Sequence, residues 1–115
     1  MDATGDVFVA NTGNSRVVEL TAAGVQTNLG FEGLSHPGGV AVDGSGDVFV
    51  ADTDNSRVVE LTPGGVQTTL GFTGLVYPGG VAVDGSGDVF VADTDNSRVV
   101  ELTPGGVQAL SLIHI

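Results

Sequence analysis

The sequence predicts an all-β chain built from repeated four-stranded antiparallel sheets, and three observations carry that prediction. A 41-residue unit recurs in register: residues 37–67, PGGVAVDGSGDVFVADTDNSRVVELTPGGVQ, return unchanged at 78–108. Glycine supplies 19 of the 115 residues and gathers in GSG and PGG, where tight turns need it. Valine dominates the apolar set, and no long stretch spaces its apolar residues at helical intervals.

Four runs in each unit read as strands. They are GVAVD (39–43), DVFVAD (47–52), RVVELT (57–62) and VQTTLGF (66–72), divided by GSG, TDNS and PGG. In the second run Val48 and Val50 face one way and Phe49 and Ala51 the other, so both faces are apolar and both must be covered. The fourth run carries Gln67, Thr68 and Thr69 and suits an outer edge. A small sheet with two apolar faces is satisfied by packing between copies of itself around an axis. Such a unit is a β-propeller blade, and the chain holds about three, a partial propeller.

Blade 1 covers 1–36 and lacks its first strand, because Met1 falls where Val42 and Val83 stand in the later copies. Blade 2 covers 37–77. Blade 3 covers 78–108 with an incomplete last strand. Residues 109–115, ALSLIHI, break the repeat and read as a non-native tail. Three blades leave an open arc with apolar end sheets. Either the chain is a fragment of a longer propeller, or copies associate through the exposed end blades.

Charge and composition narrow the function. The net charge of −11 argues against nucleic-acid and anionic-membrane partners. Cysteine is absent, so neither a disulfide framework nor a thiol nucleophile exists. No basic segment leads into an apolar run, so no signal peptide is read, and no apolar stretch approaches membrane-spanning length.

PGGVAVDGSGDVFVADTDNSRVVEL resembles the NHL repeat, with its Pro-x-Gly-Val-Ala-Val-Asp opening, its Gly-Asp-Val-Phe-Val-Ala-Asp strand and its Asn-x-Arg-Val entry to the third strand. The resemblance spans nearly all of 2–108 and is nearest to the bacterial propellers of receptor-kinase sensor domains and secreted proteins. It implies a β-propeller, an extracellular or cell-envelope setting, and either a binding scaffold or a metal-assisted lyase or lactonase. Propellers of the latter kind hold a divalent metal near the axis with several inward histidines or acids. Here only His36 fits.

The chemistry-bearing residues concentrate in ADTDNSR and the blade linkers, which share one face. Two readings stand. Structurally, Asp52 or Asn55 accepts turn amides, and Arg57 bridges to a carboxylate. Asn14, Arg16, Asn96 and Arg98 do the same in the other copies, and these three arginines are the only cations besides histidine. Functionally, Asp54, Asp95, Asp52 and Asp93, with His36, Tyr77 and Glu32 from the linkers, gather a cation or a polar, hydroxyl-rich ligand. Asp54 leads this set because the first copy replaces it with Gly13 while keeping Asn14 and Arg16; Asn11 likewise replaces Asp52. The DGSGD turn spaces Asp43, Ser45 and Asp47 suggestively, but Val48 stands where a calcium loop needs glycine, and no metal is assigned. No catalytic residue and no cofactor is assigned; a divalent cation has no ligand set to support it. A non-catalytic binding role for a protein or small polar ligand follows.

Overall fold

The structure is a computed structural model and describes residues 5–110. Three antiparallel sheets follow one another along the chain. The first has strands β1 (Val7–Asn11), β2 (Arg16–Leu20) and β3 (Gln26–Asn28), in that spatial order. The second runs β4 (Gly39–Val42), β5 (Val48–Asp52), β6 (Arg57–Leu61) and β7 (Gln67–Thr69). The third repeats it with β8 (Pro78–Val83), β9 (Val89–Asp93), β10 (Arg98–Leu102) and β11 (Gln108–Leu110). These are the blades of a propeller arc. Residues 1–4 and 111–115, including most of the tail expected at 109–115, lie outside the described residues.

Register explains the two apolar faces. Val50 lies opposite Val40 and Val59, while Ala51 lies opposite Val58 and Phe49 opposite Ala41. One face of each sheet therefore carries the Val48 and Val50 type of residue, and the other carries the Phe49 and Val58 type. The sheets stack unlike face to unlike face. Phe8 and Val17 of the first sheet pack on Val40, Val42, Val48 and Val50 of the second. Phe49 and Val58 of the second pack on Val81, Val83, Val89, Val91 and Val100 of the third. All five residues of β5, the middle sheet's second strand, are buried as their two-sided pattern requires. Each such valine contributes on the order of 1.5 kcal/mol of burial free energy.

The fourth run forms a shorter strand than its β-rich sequence suggests. β7 stops at Thr69, and Leu70 and Phe72 turn inward against the core between the second and third sheets. β11 keeps the same three-residue length and pairs Leu102 with Gln108 as β7 pairs Leu61 with Gln67, because ladder bonds are made by backbone and tolerate a changed side-chain sequence.

At their inner edges the sheets approach closely. A Cβ on Gly38 would lie 2.7 Å from Thr53 Oγ1 and 2.8 Å from the Gly79 carbonyl oxygen. Only glycine permits that approach. The Thr12 hydroxyl donates to the Pro37 carbonyl (2.8 Å), and Thr53 donates to the Pro78 carbonyl (2.7 Å), tying each turn to the opening of the next blade.

Candidate functional site

The repeated TDN turns, Thr53–Asn55 and Thr94–Asn96, are single turns of 3₁₀ helix closed by Ser56 and Ser97 in the left-handed region. They lie on the same side as the linkers. The Asp54 amide donates to the Ser35 carbonyl and the Asp95 amide to the Val76 carbonyl, each at 3.2 Å.

Asp52 and Asp93 do not present themselves to a ligand there. Both are fully buried. Asp52 accepts from the Ser35 amide (2.7 Å), the Asn55 side-chain amide (2.9 Å) and Arg57 Nε (2.7 Å). Asp93 accepts from Val76, Asn96 and Arg98 at 2.8, 2.9 and 2.7 Å. Burial alone would raise the Asp93 carboxyl, but those three donors and the Arg98 charge outweigh it and hold the group below the usual carboxylate range. The sequence placed these two acids among ligand candidates; the fold spends them on bracing its own turns. Asn55 and Arg57 also donate to the Gly33 carbonyl (2.8 and 3.1 Å), and Asn96 and Arg98 to that of Gly74 (3.0 and 3.2 Å), locking the incoming linker.

The first copy departs from this pattern. Asn11 replaces the acid, and Arg16 Nε is buried without a hydrogen-bond partner, so the Nε bond to an acid that Arg57 and Arg98 make is missing here. An uncharged amide in place of a carboxylate removes the charge that would draw the guanidinium in.

What remains exposed on this face is a smaller set. Asp54 Oδ2 and His36 Nδ1 stand 2.7 Å apart, with side chains 43% and 56% exposed. An exposed carboxylate only accepts, so Nδ1 is the donor and Nε2 of the neutral ring is left as an acceptor. In the next copy Tyr77 takes the place of His36, and both Tyr77 and Asp95 are exposed. His36 and Tyr77 adopt positive φ, 49° and 48°, and their amides donate to Ser15 Oγ (3.2 Å) and Ser56 Oγ (3.4 Å) of the preceding turn. Both side chains are thus set by the neighbouring blade. Glu32 is clamped through its backbone, which donates to and accepts from the Gln67 amide group.

Sequence reasoning missed that glutamine clamp, repeated by Gln108 on Thr73, and the Ser15 and Ser56 hydroxyls. The signal was available, since Gln26, Gln67 and Gln108 recur at the repeat period, as do Ser15, Ser56 and Ser97.

The opposite side holds turns and clefts. Asp43 Oδ1 accepts the amides of Ser45 (2.9 Å) and Asp47 (3.0 Å), so it caps its own turn. A cleft of about 390 Å³ opens there between the first two sheets, lined by Phe8, Glu19, Val48, Leu61 and Pro63. Its counterpart of about 250 Å³ recurs between the second and third, so blade spacing explains both. Among the described residues no group of three or more His, Cys, Asp or Glu side chains could hold a metal ion.

Antiparallel sheets of three and four strands stacked face to face, with glycine-lined inner edges and, in the two full copies, linkers locked by an Asp–Arg pair, define a β-propeller protein. The NHL repeat pattern matches residues 34–61 and 75–102, so the chain carries two NHL repeats. Among solved structures it is similar to a streptogramin B lyase (18% identity, TM-score 0.83, covering 97% of this chain and 38% of that one). It is similar to virginiamycin B lyase from Staphylococcus aureus (16%, 0.82, covering 98% and 39%). It also resembles a chain of a nidogen/laminin complex (21%, 0.82, covering 99% and 47%). The chain thus spans less than half of each, and at these identities the likeness is one of fold. No curated protein matches the sequence.

Proposed function

We propose that this chain is part of a non-catalytic NHL-repeat scaffold whose linker face binds a cationic group on a protein or small polar ligand. The observation that carries this reading is the division within the ADTDNSR turn. Asp52, Asn55 and Arg57 are consumed by internal bonds, while Asp54 two residues on is exposed and held beside His36. Asp95 and Tyr77, at the equivalent positions one blade later, are also exposed. Carboxylates beside an aromatic or imidazole ring suit an ammonium or guanidinium group, which both charge and ring faces attract.

The second reading, part of a metal-assisted lyase or lactonase, draws on fold likeness to the two lyases, and fold does not carry function by itself. Tyr77 is the only tyrosine and tryptophan is absent, so intrinsic fluorescence reports on the candidate face directly. Titration with spermidine is expected to change Tyr77 emission saturably, and the double variant Asp54→Asn/Asp95→Asn to weaken the response at least fivefold. An undiminished response in that variant would sink the scaffold reading. A melting shift that appears only with zinc, calcium or magnesium and vanishes with chelator would favour the enzyme instead.

A further inference from the structure

The first two copies of the repeat differ unevenly. GDVFVA, NSRVVELT and GVQT stand unchanged at 5–10, 14–21 and 24–27 and again at 46–51, 55–62 and 65–68. Around the DGSG and TPGG turns only small residues exchange: Ala3 and Thr4 for Gly44 and Ser45, Ala22 and Ala23 for Pro63 and Gly64. The linkers 29–36 and 70–77 instead exchange unlike chemistry, Glu32 for Thr73, Ser35 for Val76 and His36 for Tyr77. Exposure alone does not explain where the chemistry changes, because Val25 and Val66, and Thr27 and Thr68, are also exposed and are unchanged.

Both linkers end on one turn. From one side the Ser35 carbonyl accepts the Asp54 amide (3.2 Å), and His36 Nδ1 donates to Asp54 Oδ2 (2.7 Å). From the other side the Tyr77 amide donates to Ser56 Oγ (3.4 Å), and the Thr53 hydroxyl donates to the Pro78 carbonyl (2.7 Å). The turn therefore stands between a polar flank, Ser35 and His36, and an apolar flank, Val76 and Tyr77, which are 39% and 48% exposed. Tyr77 holds φ at 48° directly before a proline, a conformation easy for glycine and strained for a bulky side chain.

We propose that this turn and its two flanks form one asymmetric site, in which Asp54 and His36 take the cation of a ligand and Val76 and Tyr77 take an apolar or aromatic group joined to it. The proposal rests on the linker-face reading above and narrows its ligand from any cation to an ammonium carrying an apolar arm. Asp54 keeps Oδ1, and the neutral His36 ring keeps Nε2, as acceptors for the ammonium N–H groups. The arm sheds water against the Tyr77 ring and the Val76 methyls. Val76 and Tyr77 thereby determine specificity, since the serine and histidine of the first linker offer the arm no comparable apolar surface.

The test titrates the 15N-labelled 115-residue chain with phenethylamine and with ethylamine, which share the ammonium and differ by the phenyl ring. Shifts of the Asp54 and Ser56 amides give the affinities. Phenethylamine is expected to bind about fivefold more tightly, the gain of one aromatic contact. Val76→Ser/Tyr77→His gives the second linker the residues that the first holds, His36 at φ 49° among them. That swap is expected to erase the preference and leave ethylamine binding unchanged; where circular dichroism shows it melting early, Tyr77→His alone replaces it. Asp54→Asn is expected to weaken both amines alike. Equal affinities in the wild-type chain, or a preference that survives the swap, overturn the proposal, and the linker-face reading still stands if Asp54→Asn weakens both amines. Binding that Asp54→Asn leaves untouched, or no binding of either amine, overturns the reading and the proposal together.

Discussion

In the turn after β5, Asp52 lies beneath three donors with no exposed surface, and in the equivalent turn after β1 Asn11 leaves Arg16 Nε without a partner. The two copies form a natural comparison of the same turn with and without its charge. Bonds to a buried carboxylate are worth more than neutral ones, and removing one partner strands the other. Asp52→Ala is therefore expected to cost about 3 kcal/mol, and Asn11→Asp to add about 1 kcal/mol by giving Arg16 the acceptor it lacks. Urea unfolding checks both, read as shifts in midpoint at constant slope. An Asn11→Asp variant no more stable than the parent would show that the unpartnered Arg16 Nε costs the blade little.

Among the elements, the inner strands are the most constrained. A Cβ at Gly38 meets the Thr53 hydroxyl at 2.7 Å, and one at Gly79 meets Thr94 Oγ1 at the same distance. Gly44, at a hairpin tip, has nothing within 4 Å of its added Cβ. Gly38→Ala is expected to destabilise by about 2 kcal/mol through forced separation of the second and third sheets. Gly44→Ala is expected to stay within about 0.5 kcal/mol of the parent, since it also restricts the unfolded chain. Thermal melts of the two variants side by side test this; equal melting temperatures would contradict the close-approach account. Much of this level was legible in the repeat. Strand positions, turn positions and the two-sided burial of β5 follow from local pattern. The early end of β7 was not, because Leu70 and Phe72 are β-formers drawn off the ladder by the space between two blades, which no local pattern records.

Over the whole molecule, carboxylates dominate. Burial raises Glu60 above its ordinary 4.5, and the charges of Asp47 and Asp43 push the same way. Asp47 is raised from 3.8 by desolvation, by its hydrogen bond with Asp43 and by that neighbour's charge. As pH rises, the unfolded chain releases these protons first, so the folded state binds more protons across that window and loses stability with rising pH. Asp93 has the opposite sign. Its lowered value contributes stability above 3.8 that disappears as pH falls through its folded value. The chain is expected to melt at a higher temperature near pH 5 than at pH 7, then to lose stability below about pH 4. Relief of self-repulsion at −11 acts in the same direction on the acid side of neutrality. A melting temperature that falls steadily from pH 7 to pH 5 would show that the raised acids do not govern stability.

The amino-acid sequence alone determined the repeat length, the strand and turn order, the propeller class and the acidic surface, because all of these are set by local spacing and composition. It also separated Asp54 from its neighbours, through Gly13 in the first copy. Only the tertiary structure decided that Asp52 is internal and Asp54 external, and that Arg16 Nε lacks the acceptor that Arg57 Nε has. It also decided that the valine of one VFVA strand is buried and that of another exposed. Identical local sequences acquire different burial because burial depends on which sheet lies across the gap, and that neighbour is some forty residues away in the chain.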